Sequence, residues 1–219
     1  HGATLDGSAP LPDDGWETVS EGLRRIRLRR PPMDRHLLTF DGRNEHMGRT
    51  QSANSRPFPA PEQLADGQFA FVAIDDKEGW LYVRGNAKQL EWSTRVNGVA
   101  TGGTNRGLVI RNLKTRRFLN DGFNIHGHGY DLVFEQVEGV DCFDEGFSAH
   151  EDCTCRIRDG RFWGCENAVA DVNDSQTDYL RCEFGGSLSV DALLVGKRHS
   201  LTDCRIINTP GTTALSSVS

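Results

Sequence analysis

Much is missing from this chain of 219 residues, and each absence excludes something. No apolar run approaches the ~20 residues of a membrane-spanning helix, so membrane insertion is not expected. Basic residues are the minority: 25 Lys and Arg face 31 Asp and Glu, for a net charge of -6, which argues against nucleic acid as a partner. Hydrophobic residues make up 37% and aromatics 8%, too little for the thick core of a large α/β enzyme. No zinc spacing is present. All six cysteines lie between Cys142 and Cys204, and Cys153-Thr-Cys155 is the only close pair. Two readings of the cysteines stay open: stacked buried thiols serving as small hydrophobes, or disulfides between coils.

What is present is glycine, 24 residues of it, and repetition. From about residue 102 apolar segments recur: "GLVIRNL" (107–113), "DLVFEQV" (131–137), "RIRDGRF" (156–162), "DYLRCEF" (178–184) and "LTDCRII" (201–207). Their last apolar residues, Leu113, Val137, Phe162, Phe184 and Ile206, are 24, 25, 22 and 22 apart. Between them lie "DGFNIHG", "EGFSAHE", "NAVADVN" and "DALLVGK". Short strands at this period, with no helical periodicity, predict an all-β fold built as a parallel β-helix, or solenoid, in which each coil covers its neighbour's core. Phe123, Phe147, Val169 and Leu193 are expected to form one inward column, and Ile125 and Ala149 another.

Residues 13–97 lose the period. They read as a β-rich insertion with strands such as "RRIRL", "FAFVAI" and "GWLYVRG", punctuated by "RPPM" and "RPFPAPEQ". The domain reading is therefore residues 1–12 as a first strand and turn, 13–97 as the insertion and 98–219 as coils. "LRRIRLRR" (23–30) alternates and reads as a strand with one solvated face, or as a patch for acidic glycans. Trp16, Trp80, Trp92 and Trp163 are candidates to stack against sugar rings, and the competing reading, favoured for Trp80 and Trp92, puts those two in the insertion's core. The opening "HGATLDGS" reads like the middle of a repeat, so upstream residues are expected to have been removed or omitted.

The order "GATLDGS", a Trp-led strand segment, "HLLTFDGRNEHMGRT", "GQFAFVAIDDKEGWLYVRG" and then coils with "DGFNIHG" resembles right-handed parallel β-helix proteins of the pectate-lyase-like superfamily. It is similar in particular to β-helix glycoside hydrolases with a small inserted β-domain. The resemblance implies a carbohydrate-active enzyme, a poly- or oligosaccharide as partner, and a secreted or periplasmic location. Oligomeric state is left open.

The residues themselves supply a candidate site. Acid-Gly-Phe-x-x-His occurs twice, at 121–126 and 145–150. Stacked on the repeat, Asn120 falls beside Asp144 and Glu166; Asp121 beside Glu145, Asn167 and Asp191; Asn124 beside Ser148; His126 beside His150; and His128 beside Asp152. Carboxyls on neighbouring coils would lie about 5 Å apart. That is close to the ~5–5.5 Å of a retaining glycosidase and short of the ~6.5–9.5 Å of an inverting one. Asp121 and Glu145 are the expected catalytic pair, with Asp144 in reserve, and one of the pair should hold its proton. Asn120, Asn124, His126, His150 and Trp163 are the expected substrate-binding residues. No cofactor is required by this chemistry. Two metal readings accompany it: a transition metal at His128 and Asp152 with His126 and His150, or Ca²⁺ at Asp121, Asp144, Glu145 and Glu151. Asn-Asp-Gly and Asp-Glu-Gly are also ordinary turn sequences, so a purely structural polar ladder is the competing reading. The rival functions are a polysaccharide lyase acting on a uronate-containing glycan and a non-catalytic glycan-binding or structural solenoid.

Overall fold

The computed structural model describes residues 2–43, 49–50 and 58–217. Residues 44–48 of "HLLTFDGRNEHMGRT" and Arg56 and Pro57 of "RPFPAPEQ" lie outside the described residues. The chain is nearly all β and divides into two compact units, one of His1–Gly7 with Val96–Ser219 and one of Ser8–Arg95. Among the described residues, no helix is long and apolar enough to cross a membrane.

The larger unit is a parallel β-solenoid with three sheets. The first stacks Ala3–Asp6, Leu113–Arg116, Glu138–Val140, Arg161–Trp163, Glu183–Gly185 and Arg205–Ile207. The second, the site sheet, stacks Val99–Ala100, Phe123–Ile125, Glu145–Ala149, Asn167–Asp171, Val190–Leu194 and Thr213–Ser217. The third stacks Thr104–Arg106, His128–Glu135, Asp152–Arg158, Gln176–Leu180 and Arg198–Thr202, with Val109–Arg111 also paired to His128–Glu135. Alternation along each strand points one set of side chains inward. Phe123, Phe134, Phe147, Phe162, Tyr179 and Phe184 fill the interior in edge-on and stacked contacts, with centroids 5.1–6.5 Å apart. Each such ring contributes roughly 1.5–3 kcal/mol by leaving water.

Two columns differ from the sequence reading. Val169 pairs with Ala192, so Ala192 takes the interior place and Leu193 faces outward, while Leu194 joins the column of Ala149 and Asp171. Phe162 pairs with Gly139 rather than following Val137, which makes the coil lengths there 23 and 22 instead of 25 and 22. A short inward residue in one coil leaves room for a longer one beside it, and a motif-by-motif alignment cannot see this. The six cysteines are free thiols, five of them buried.

Most corners of the solenoid are turned by a left-handed residue; the one between Val190–Leu194 and Arg198–Thr202 is not. Asn112, Gln136, Asp159, Arg181 and Asp203 turn the corner from third to first sheet, with φ of 52–55°. Arg117, Asp141, Gly164 and Gly186 turn the next corner, and Gly103, Gly127, Glu151 and Asn173 the last. Their N–H groups bond coil to coil, as in Asn112 to Glu135 O, Gln136 to Arg158 O, Asp159 to Leu180 O and Arg181 to Thr202 O, at 2.9–3.0 Å.

The unit of Ser8–Arg95 consists of antiparallel sheets. One orders Glu17–Ser20, Leu23–Arg29, Glu78–Arg84 and Phe69–Ala73; the other orders Ser8–Pro10, Leu90–Ser93, His36–Phe40 and Arg49–Thr50. Ile26, Leu38, Phe69, Phe71, Leu81, Val83, Leu90 and Trp92 form its core. Trp92 is the core tryptophan. Trp80 is not: it alternates with Leu81 to the opposite face of its strand and stays partly exposed.

Candidate functional site

The repeated motif places four polar side chains in one column of the site sheet. Phe123 pairs with Phe147, and Glu145 with Asn167. The column runs Asn97, Asp121, Glu145, Asn167, so two carboxyls are bracketed by two amides. Asp191 does not continue it, because Asn167 pairs with Val190. The glycine of each motif has a packing reason and no left-handed φ. A Cβ on Gly122 would lie 2.4 Å from Thr115 Oγ1, and one on Gly146 would lie 2.7 Å from Ala168 O. The chain behind each acid is thus pressed against the first sheet, and the phenylalanine that follows enters the core.

Asp121 is 2% exposed and well supplied with donors. Ser148 Oγ donates to its Oδ2 at 2.7 Å, Asn120 Nδ2 to the same oxygen at 3.1 Å, and the Glu145 N–H to Oδ1 at 3.1 Å. A carboxyl oxygen of Glu145 lies within 4.8 Å of one of Asp121. Glu145 remains partly open to solvent and receives Asn167 Nδ2 on Oε1 at 2.8 Å. Burial pushes Glu145 well above the usual carboxylate range, and the charges of Asp121 and Asp144 push the same way. Burial and the Asp144 charge also raise Asp121, against the hydrogen bonds from Glu145 and Ser148 that favour its ionised form. Both are raised, Glu145 the further, so Glu145 is the member of the pair that holds a proton more readily. Carboxyl oxygens of the two lie within 4.8 Å, the separation that strand spacing suggests. Asp144 completes the group, and ligand atoms of all three acids lie within 4.8 Å of one another. This trio is the one set of three or more His, Cys or acidic residues gathered closely enough for a metal among the described residues.

Asn97 was not among the residues singled out from the sequence, yet it organises the near side. Its Oδ1 accepts from Asn120 Nδ2 at 2.9 Å, Asn124 Nδ2 at 3.2 Å and the Asp121 N–H at 3.3 Å. The triplet Asn97-Gly98-Val99, 24 residues before Asp121-Gly122-Phe123, is the signal that could have found it. Asn124 stands beside Ser148 as expected but is 7% exposed, which confines it to the ladder rather than the open surface.

His126 and His150 stack with centroids 4.1 Å apart and planes 6° from parallel. His126 Nδ1 meets Glu151 Oε2 at 2.9 Å and Oε1 at 3.1 Å, and the Gly127 N–H holds the same carboxylate at 2.9 Å. Burial would raise Glu151, but these donors and the His126 charge hold it below its ordinary value. Burial lowers His150, helped by its His126 neighbour, against the charges of Glu151 and Asp144. The pair thus offers a flat, half-buried imidazole platform next to the acids. His128 and Asp152 are register neighbours, 3.7 Å apart at Nδ1 and Oδ2, and Tyr130 OH donates to Asp152 at 2.7 Å. No third metal ligand gathers around them among the described residues. Trp163 lies on the first sheet instead of the site sheet. Its indole covers the backbone of Gly185 and Gly186, where added Cβ atoms would come within 2.6 and 2.4 Å, and Arg161 lies 4.9 Å from the ring centroid.

No protein-family model matches the chain, and no curated protein matches it. A solved structure, that of XylC in complex with xylose, has the same fold, with a TM-score of 0.51 and 8% sequence identity. The alignment covers 89% of this chain and 53% of XylC, so the chain spans about half the length of that neighbour. The likeness places the chain among β-helix proteins and leaves its chemistry to its own residues.

Proposed function

We propose that this chain is a carbohydrate-active enzyme that hydrolyses a glycosidic bond of a poly- or oligosaccharide with carboxyl groups on adjacent coils. The observation that carries the proposal is the carboxyl cluster: a partly exposed Glu145 gathers within 4.8 Å of buried Asp121 and of Asp144, where burial and their charges raise it well above the usual carboxylate range. A carboxylic acid holding its proton near neutral pH is the general acid this reaction needs. Glu145 gives that proton to the glycosidic oxygen as the C–O bond breaks. A second carboxylate attacks the anomeric carbon, and Glu145 then takes a proton from the water that releases the sugar. Asp121 is the expected partner, but it is 2% exposed and must turn out from Ser148 and Asn120 to reach a sugar carbon. Asp144 is partly exposed and needs no such movement. The xylose bound to XylC is consistent with a sugar as ligand.

The test is a screen on neutral and acidic glycans that reads new reducing ends and unsaturated uronates together. Glu145→Gln is expected to lose at least about 100-fold in rate, the scale of a general acid. Added azide should restore cleavage in whichever of Asp121→Gly and Asp144→Gly has lost the nucleophile. Unsaturated products would replace the hydrolase with a lyase. Silence on every glycan with all three variants folded would leave the structural ladder, which the dense bonding of Asp121 favours.

A further inference from the structure

The sheet of Glu17–Ser20, Leu23–Arg29, Glu78–Arg84 and Phe69–Ala73 has two faces with different fates. Ile26, Leu81 and Phe71 are cross-strand neighbours and enter the core. On the other face, Leu23 and Ala70 pack under Leu64 at one end, with Tyr82 against them. Beyond them the face is open. Arg27, Trp80 and Val72 form one row across three strands, and Arg25, Tyr82 and Ala70 the next. Val72 is 43% exposed, and Ile74, which continues the alternation, is 47% exposed. A soluble unit here leaves an indole, a phenol and two aliphatic side chains on one flat strip.

The two arginines beside the rings, Arg25 and Arg27, are already committed. The Arg25 guanidinium lies 4.0 Å from the Trp80 ring centroid, donates to Glu17 at 2.8 Å and reaches Tyr82 OH at 3.3 Å. Arg27 pairs with Glu78. Two ion pairs neutralise Arg25 and Arg27 beside the rings, while Arg29 and Arg84 lie at the two ends of the same face. Charge is thus matched at the aromatic centre, which itself offers little to a polyanion. It suits a ligand whose faces are apolar C–H surfaces and whose edges are uncharged hydroxyls. Residues two apart on a strand are separated by about 6.8 Å, so Trp80 and Tyr82 can each meet part of one extended chain.

We propose that this strip, centred on Trp80, is a surface binding site for a neutral polysaccharide chain, separate from the carboxyl site and independent of whether that site is catalytic. The site would hold polymer rather than cleave it. The Arg25–Trp80 stack is its rigid centre, and Val72 and Ile74 extend it along the edge strand.

The whole chain carrying Glu145→Gln, which prevents digestion, is run through native gels containing neutral arabinoxylan, galactomannan, hydroxyethyl cellulose or polygalacturonate. Retardation is expected in at least one neutral gel, with little in polygalacturonate. Trp80→Ala should weaken that binding at least about fivefold. Val72→Asp, a change on an already exposed side chain that leaves the core intact, should weaken it similarly with unchanged thermal melting. Retardation that survives both substitutions overturns the proposal. So does retardation by polygalacturonate alone, or none in any gel. Sedimentation is read in parallel: a dimer dissolved by Val72→Asp without any polysaccharide binding would assign the strip to a second copy of the chain and overturn it too.

Discussion

The two units of this chain solve the same problem in different ways. In the solenoid every inward ring has neighbours one coil above and below, as Phe147 has Phe123 and Val169. In the Ser8–Arg95 unit, Trp92 meets Phe69, Phe71 and His36 from strands far apart in sequence. The first core is a chain of nearest-neighbour contacts, and the second is closed all at once. Local damage should therefore stay local in one unit and spread through the other.

The largest effects test this directly. Phe147→Ala and Trp92→Ala should each cost about 3–5 kcal/mol. Followed by hydrogen exchange, Phe147→Ala should loosen 123–125, 145–149 and 167–171 and fade with each further coil. Trp92→Ala should raise exchange across the Ser8–Arg95 unit together. Equal spreading in both would erase the distinction.

A second test concerns charge inside the stack. Asp171 takes an inward place opposite Ala149, wholly buried, and accepts from Thr177 Oγ1 and Tyr179 OH, both at 2.8 Å, and from the Ala149 N–H at 3.2 Å. Burial raises it to about 7 against those three donors. A folded-state value above the unfolded one means that the folded chain binds the extra proton. Stability is then fullest below about pH 4 and falls as pH rises to about 7, by up to about 4 kcal/mol on the scale of such a shift. Asp171→Asn should flatten that slope in urea unfolding between pH 4 and 7, and an unchanged slope would place its origin elsewhere. Glu145→Gln should remove a slope of the same sign, since Glu145 is also raised.

The smallest expected effect lies at the corners. Gln136 is exposed and left-handed, with φ of 53°. Gln136→Gly should stabilise by about 0.5–1 kcal/mol by relieving the Cβ, and Gln136→Val should destabilise by more than about 1 kcal/mol. Thermal melting of the pair checks the sign. Asp41, left-handed at φ 48° in the other unit, gives the comparison, because its side chain caps the Lys88 and Gln89 N–H groups at 2.9 and 2.8 Å and cannot be removed without loss.

The same contrast governs what the sequence could disclose. The solenoid and the stacking of 121–126 on 145–150 follow from repetition, because identical spacing forces identical register. The slip at Ala192 escaped because Ala-Leu-Leu offers two inward choices. Trp80 was misplaced because a strand with both faces partly apolar has no alternation to read, and its partner strands are distant in sequence. At the site, the stacking of 121 on 145 and of 126 on 150 was legible, but the slip at Asp191 and the depth of Asp121 and Asn124 were not. That depth comes from Ser148, Asn120 and Asn97 closing over them. Asn97 itself was cut off by a boundary drawn one residue too late for its triplet to be seen.

The left-handed corners have a consequence for how such a chain can change in length. Each coil is closed by its own backbone turns, so the natural unit of insertion or loss is one complete circuit. Removing 182–203 would join Arg181 to Cys204 and bring Arg205 to the place of Glu183, its register partner, with the corner intact. Such a shortened chain should still melt cooperatively as a β-rich fold. Removing only 182–192 leaves a corner with no strand to receive it and should shrink that transition by the loss of the last coils and lower its midpoint. A circular-dichroism melt of the two deletions separates growth by whole turns from growth by arbitrary lengths.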